Sequence, residues 1–336
     1  VSKFKLFISG TLLLGIIFIS LFLLLNQKDP VVETVTTHYK NQDGLIQTYE
    51  RKQDIQYLSE SIGLYMQYLV LAKKKKEFDK QVNLLSRHFL VQKHDNTFIK
   101  WNLAEGTTNA LIDDIRLIDA LKKGSKEFKE KRYNTLAASI ESTLLHTHIR
   151  NNQLVDFYDW SSKSQTDILH LSYIDDSALK NMKSLSVSYQ SVVEKGIDPK
   201  SPFFFEIYDV DKKEYKHAHS ENVNMIDQLL IAIQYEQIKG TPPKQFDKWL
   251  KKEFTEKGKV YGNYNRTTLN PRKSFESSAV YALATLYFLD QEDHKYASEF
   301  HKRLVAQPPF SSAANYSTIH FFDYIYSKIA DYEYQH

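Results

Sequence analysis

The chain has 336 residues, 42% hydrophobic and 25% charged, which is the balance of a globular protein and excludes wholesale disorder. Ten Gly and eight Pro exclude collagen-like, linker-rich and turn-dense all-β architectures. Zero Cys excludes disulfides, thiolate metal sites, a cysteine nucleophile and a lipid anchor on Cys. A net charge of +3 gives no argument for nucleic acid as a partner, and the 22 Tyr and 20 Phe suit either a thick core or a surface that stacks against flat ligands.

Residues 6–25 form a run of 20 without a charge, long enough as a helix to span roughly 30 Å, about one hydrocarbon core. Lys3 and Lys5 precede it, so the positive-inside rule predicts a cytoplasmic N-terminus and an extracellular remainder. A cleaved signal peptide is the alternative. Its apolar region is normally about 7–15 residues with a small-residue cleavage site, and Asn26-Gln27-Lys28-Asp29-Pro30 offers none. The expectation is a single-pass membrane protein, with residues 1–30 as signal anchor and residues 31–336 as one extracellular domain.

Beyond the anchor, strand signals are scarce and helical periodicity recurs. Helices are predicted over about 53–72, 75–90, 107–123, 126–147, 176–195, 222–238, 244–256, 274–290, 293–305 and 316–330, with another near 32–47. Thr107, Thr108 and Asn109 are candidate caps, Gly124 marks a helix stop, and the Pro242-Pro243 and Pro308-Pro309 pairs separate helices. Residues 279–289 are apolar on every side, the mark of a helix buried on both flanks. Ten to twelve such helices with short connections predict an all-α closed toroid. The Lys73-Lys74-Lys75-Lys76 run reads as a solvated connector.

Phosphate-binding glycine loops, the G-x-S-x-G elbow and H-E-x-x-H are all absent. The pairs His146/His148 and His217/His219 have a spacing that splays the rings on a helix, so both read as polar surface with no metal site. What remains is carboxylates beside aromatics. In Ser59-Glu60-Ser61-Ile62-Gly63-Leu64-Tyr65-Met66, Glu60 opens an apolar helix. Against apolar walls its pKa would rise into the range of a general acid, although an N-terminal Glu also serves the helix dipole. Gly63 inside that helix costs about 1 kcal/mol against Ala and asks for a close approach. In Ala110-Leu111-Ile112-Asp113-Asp114-Ile115-Arg116-Leu117, one of the two acids must face inward, and a buried carboxylate needs a partner or a task.

Three blocks together resemble glycoside hydrolase family 8. Residues 59–66 resemble its S-E-G-x-G-Y-G-M block and residues 109–121 its A-T-D-A-D-L-D-I-A-Y-A-L block. Leu171-Ser172-Tyr173 is similar to its N-P-S-Y segment. The likeness runs over about residues 50–330 and is nearest to the divergent branch associated with Gram-positive exopolysaccharide synthesis operons. The resemblance implies an (α/α)6 barrel and inverting endo-cleavage of a β-linked polysaccharide without a cofactor. It makes Glu60 the general acid and aligns Asp114 with an Asp that contacts the sugar, with Asp113 taking part if the register slips by one. The base falls on Asp227, inside an apolar helix, or on Glu221. The Tyr, Arg and Pro of the family's base segment are missing here.

Tyr65 and Tyr173 rank first as sugar platforms, with Trp101, Tyr208 and Tyr264 among further candidates. Arg116 pairs with Asp113 or Asp114, or meets an anionic substituent. Resemblance and topology together imply a polysaccharide substrate and an exopolysaccharide synthase machinery as a neighbour. The competing classes are a non-catalytic carbohydrate-binding or assembly factor on the same barrel, and a tetratricopeptide-like interaction module, for which no period is visible.

Overall fold

The structure, a computed structural model, describes residues 29–51, 54–104, 106–182, 185–272 and 275–336. The predicted anchor at residues 6–25 lies outside the described residues; among these, no helix is long and apolar enough to cross a membrane. The chain divides into two units, residues 1–38 and residues 39–336. In the first, a short helix α1 (Pro30–Thr34) is capped by Asp29, whose carboxylate accepts from the N–H groups of Val31 and Val32.

The second unit is a ring of helices. Its inner positions are α2 (Ser59–Leu71), then α4 (Leu111–Phe128) following α3 (Lys75–Leu84) on the outside. Outer helix α5 (Lys131–Thr147) leads to a third inner position, made of the tight turn Leu171–Tyr173 and the one-turn helix α6 (Asp176–Lys180). Past outer α7 (Tyr189–Lys195), inner α8 (Met225–Lys239) is followed by outer α9 (Lys244–Lys257). Inner α10 (Ser278–Asp290), outer α11 (His294–Val305) and inner α12 (Phe321–Gln335) complete the chain. Each inner element packs on the next in chain order, and α12 packs back on α2, which closes the ring. This is the layout of an (α/α)6 barrel, with every inner helix pointing its N-terminus at the same mouth.

The sequence explains which helices go inside. In α10, Ala279 to Ala284 is an unbroken buried run, so this helix needs neighbours all round and has them in α8, α11 and α12. Helix α9 buries one stripe only: Phe246 meets Tyr287 of α10 at 6.1 Å, and Phe254 meets Phe300 of α11 at 4.2 Å. The lysine run bridges α2 and α3, where Lys73 and Lys75 lie beside Glu127, Asp79 and Glu130, as a solvated connector should.

The structure departs from the predicted all-α pattern at the mouth. Short antiparallel strands, two to four residues each, sit there, too short to show a period of two. Three of them run straight into inner elements: Thr108–Ala110 pairs with Phe157–Asp159, Ile168–His170 with Ile207–Asp209, and Asn222–Asn224 with Asn263–Asn265. Thr108 and Asn109 therefore form strand rather than a cap, Thr107 lies in the bend before it, and α4 starts at Leu111, whose N–H donates to Asp156 O at 2.8 Å.

Gly124 is not a helix stop either. Helix α4 continues to Phe128 and ends on Lys129 in the left-handed region (φ 55°). A Cβ at Gly124 would lie 2.5 Å from the Phe78 ring, so the glycine is where α3 crosses α4. The predicted helix at 176–195 breaks into α6 and α7 around Leu185-Ser186-Val187-Ser188, where two serines and a β-branched valine weaken helix propensity. His148 is a further correction: it is fully buried, and burial alone pushes its pKa down to about 3, so it is a neutral core residue rather than polar surface.

Candidate active site

At the mouth a cavity of about 380 Å³ is walled by the first turns of α2, α4, α8 and α12. The small sheets set the phase of these helices. Strand Thr108–Ala110 ends where α4 begins, placing Asp113 in the first turn; strand Asn222–Asn224 does the same for α8 and Asp227, with Asn224 capping through the N–H of Ile226 at 3.0 Å. On α2, Leu58 bridges to Asn102, and Ser59 N–H donates to Trp101 O at 3.0 Å; Glu60 follows on the axial face. Glu60, Asp113 and Asp227 all line this cavity, together with Trp101, Arg116 and Tyr173.

Glu60 is partly open to the cavity. Burial raises its pKa, the Arg116 guanidinium opposes the rise, and Asp113 and Asp323 add to it; the balance pushes it up to about 7. Asp113 is nearly closed off, accepts from Ser59 Oγ at 2.6 Å and pairs with Arg116 Nη1 at 3.1 Å. Burial holds its pKa above the usual carboxylate range, against the pull of Arg116 and Ser59. Arg116 reaches this place across Gly63, where a Cβ would meet its stem at 3.2 Å; that is the close approach the helical glycine serves. Burial also raises Asp227, while the Ser172 hydroxyl and the charges of His170 and His219 pull it back.

The remaining predicted residues lie elsewhere. Asp114 turns away from Asp113 by about 100° on the helix. It is buried behind the strand and accepts from Asn109 Nδ2 at 2.6 Å, and burial raises its pKa well above the usual carboxylate range; the cavity receives the first acid of the pair and not the second. Glu221 stands on an exposed depression with His219, Asn222, Asn263 and Arg272, 3.3 Å from Arg272. Tyr65, five residues past Glu60 and about 140° round the helix, is fully buried against Phe321. Tyr264 is fully buried with its ring 4.9 Å from Trp249, and Tyr208 packs on Tyr215 in a surface hairpin. For these three, packing wins over a platform role.

Two aromatic walls were missed, Phe157 and Phe322. Phe157 sits on the strand paired with Thr108–Ala110, and Phe322 opens α12. Only the doublet Phe321-Phe322 at a helix start hinted at one face in and one face to the axis. Among the described residues no group of three His, Asp or Glu is placed to hold a metal ion.

A closed helical ring with acids and aromatics at the helix N-terminal mouth is the architecture of glycoside hydrolase family 8. Cel10, a family 8 glycosyl hydrolase from Klebsiella pneumoniae, shares the fold at a TM-score of 0.65 and 14% identity, over 91% of this chain and 99% of its own. An α-amylase from Clostridium perfringens shares it at 0.78 and 22%, over 90% and 96%. PssZ from Listeria monocytogenes is 34% identical with a TM-score of 0.85, over 92% of this chain and 96% of its own. YdaJ of Bacillus subtilis (strain 168), a lipoprotein candidate by name, is 31% identical over 269 residues, 76% of this chain and 70% of that protein. No family model matches. The chain belongs to the family of PssZ and YdaJ, a divergent branch carrying the family 8 fold.

Proposed function

We propose that this chain is a membrane-anchored extracellular glycoside hydrolase that cleaves a β-linked polysaccharide with inversion, Glu60 acting as general acid and Asp227 as base. The observation that carries the reading is that two carboxylates remote in the chain, Glu60 and Asp227, line one aromatic-walled cavity. An inverting glycosidase needs a protonated acid on the leaving oxygen and an ionised carboxylate that takes a proton from water on the opposite face. At a pKa of about 7 a large share of Glu60 is protonated at neutral pH. As the glycosidic bond opens, Glu60 gives its proton to the departing oxygen, and Asp227 accepts one from the attacking water. Solvent exchange then restores both groups. Asp113, held by Ser59 and Arg116, is a fixed acceptor for a sugar hydroxyl, and Trp101, Phe157, Tyr173 and Phe322 offer faces to the apolar side of the rings.

The apolar run at residues 6–25 supports tethering outside the membrane, where the domain would meet polysaccharide leaving a synthase. These 336 residues contain no Cys, so the tether proposed here is the helix itself and not a lipid on Cys.

The test is release of reducing ends by the full chain in detergent, wild type against Glu60→Gln. The polymers are β-linked glucans, xylans and hexosaminans, with α-linked glucans included because the C. perfringens α-amylase shares the fold. Release by wild type from a β-linked polymer, with an α-configured new end by proton NMR and none from Glu60→Gln, is the expected result. Equal release by both proteins overturns the assignment of Glu60. Polymer retention with no release by either is what a non-catalytic binding factor gives, the outcome towards which the missing Tyr, Arg and Pro of the base segment point.

A further inference from the structure

The barrel holds a second cavity, of about 430 Å³, on its axis beyond the active site. Ile112, Arg116, Ser172 and Leu230 line both spaces and form the partition between them. From there the axial faces of the inner helices continue at three- and four-residue spacing: Arg116, Ala120 and Lys123 on α4, Tyr326, Ile329 and Glu333 on α12. Lys123 is seven residues past Arg116, which makes the space about 10 Å deep. It ends among the last turns of the inner helices, at Leu71, Gln237, Asp290 and Glu333, so it opens at the end opposite the mouth. Val70, Leu71, Leu286 and Leu289 stay partly exposed along it, where a filled core would have covered them.

The walls are selective. Among the described residues lining this funnel, Tyr326 is the one aromatic, so its surface suits a methylene chain better than a sugar ring. Charge selects further. Arg116 is taken by Asp113 at 3.1 Å and Lys123 by Asp119 at 2.7 Å. Asp175, Asp290 and Glu333, which also line the funnel, form no ion pair among the described residues. Asp175 caps α6, and Asp290 accepts from Gln237 Nε2 at 2.9 Å; both donors are neutral. The C-terminal ends of the inner helices add partial negative charge at the same end. Gln234 lines the funnel at 7% exposure. Its Oε1 accepts from the Asp176 N–H at 2.7 Å, which leaves its Nε2 as a donor without a partner among the described residues.

We propose that the axial funnel is a second binding site, for a protonated aliphatic amine that carries a hydroxyl. The methylene chain lies against Val70, Ile233, Leu286 and Leu289, the ammonium sits at the rim with Asp290 and Glu333, and the hydroxyl oxygen accepts from Gln234. An anionic occupant would meet three uncompensated carboxylates, and an aromatic one little to stack on. Neither Glu60 nor Asp227 lines this space, so the site is separate from hydrolysis and stands whether or not the chain cleaves a polymer.

The experiment is ligand-observed saturation-transfer NMR on the full chain in phosphatidylcholine nanodiscs, with the signal of empty nanodiscs subtracted. The probes are 6-aminohexan-1-ol, hexane-1,6-diol and 6-hydroxyhexanoate, which share their length and a hydroxyl and differ in charge. The amine is expected to bind roughly fivefold or more tightly than the diol, and the carboxylate more weakly than either. Equal binding of the three, or binding of none, overturns the proposal. Asp290→Asn combined with Glu333→Gln, both at exposed positions, should weaken the amine severalfold and leave the diol unchanged. An amine that binds this variant as it binds wild type also overturns the proposal. Leu286→Trp, which fills the funnel, should abolish binding of both. The active cavity carries carboxylates too, so the amine is also titrated against Glu60→Gln combined with Asp227→Asn. Retained affinity assigns it to the funnel; lost affinity places it in the active cavity and overturns the proposal. Melting curves by circular dichroism show whether each variant is folded, and should Leu286→Trp fail to fold, the two rim substitutions decide.

Discussion

Glu60 links catalysis and stability through one number. Its pKa of about 7 in the fold exceeds the ordinary 4.5, so the folded chain binds more protons than the unfolded chain between these values. Its contribution to stability is therefore full below about pH 4.5 and lost as pH rises through about 7. Glu60→Gln removes that loss. Melting curves of the variant and wild type should coincide near pH 4 and separate in favour of the variant by pH 8, by at most about 3 kcal/mol. In the same variant kcat should fall roughly 10²–10⁴-fold, the usual yield of a general acid. Asp113 raises the pKa of Glu60, so Asp113→Asn should lower it; the alkaline limb of the pH–rate profile is expected to move to lower pH, as read from initial rates on the released polymer. A limb that moves upward would place Asp113 outside the electrostatics of the acid.

At the scale of elements, the first turn after each short strand decides which acid enters the cavity. Asp227 lies in such a turn and Glu221 on the exposed side before it, so Asp227→Asn should abolish hydrolysis while Glu221→Gln stays within a few-fold of wild type in the same assay. Helix crossings are equally specific. Alanine at Gly124 gains about 1 kcal/mol of helix propensity. Its methyl would lie 2.5 Å from the Phe78 ring, however, and overpacking of this kind costs about 1–3 kcal/mol, so a lowered midpoint in urea is expected.

These particulars show what the sequence discloses. Helices with one-sided or all-round apolar faces, such as α9 and α10, are legible from period alone, and so is Glu60 at the head of α2. The choice of Asp113 over Asp114 was not legible, because adjacent residues differ only by helix phase, and the phase is set by a three-residue strand paired with a segment almost fifty residues away. Phe157 was missed for the same reason: it sits on a strand too short to announce itself. Tyr65 and Tyr264 looked like platforms because a tyrosine's chemistry is the same in a core as in a groove.

At the scale of the molecule, α12 supplies buried Phe321, Tyr324 and Ile325 to the ring, and its Asp323 caps the start of α10 by accepting from Ser277 Oγ at 2.9 Å and Ala279 N–H at 3.1 Å. A chain ending at residue 320 should lose its single sharp thermal transition in far-ultraviolet circular dichroism; a sharp transition retained would mean that α2 and α10 hold without their shared neighbour. The contact between α12 and α2 carries a further consequence, for the order of assembly. During synthesis the earliest inner helix emerges while its eventual neighbour is still some 250 codons from being translated, as the residue numbers of α2 and α12 imply. Until then its apolar flank has no native cover, and contacts of such long sequence separation form late and slowly. The nascent chain must therefore be kept from sticking to other polypeptides, so holdase chaperones should raise the yield of folded protein far more than they alter its final stability.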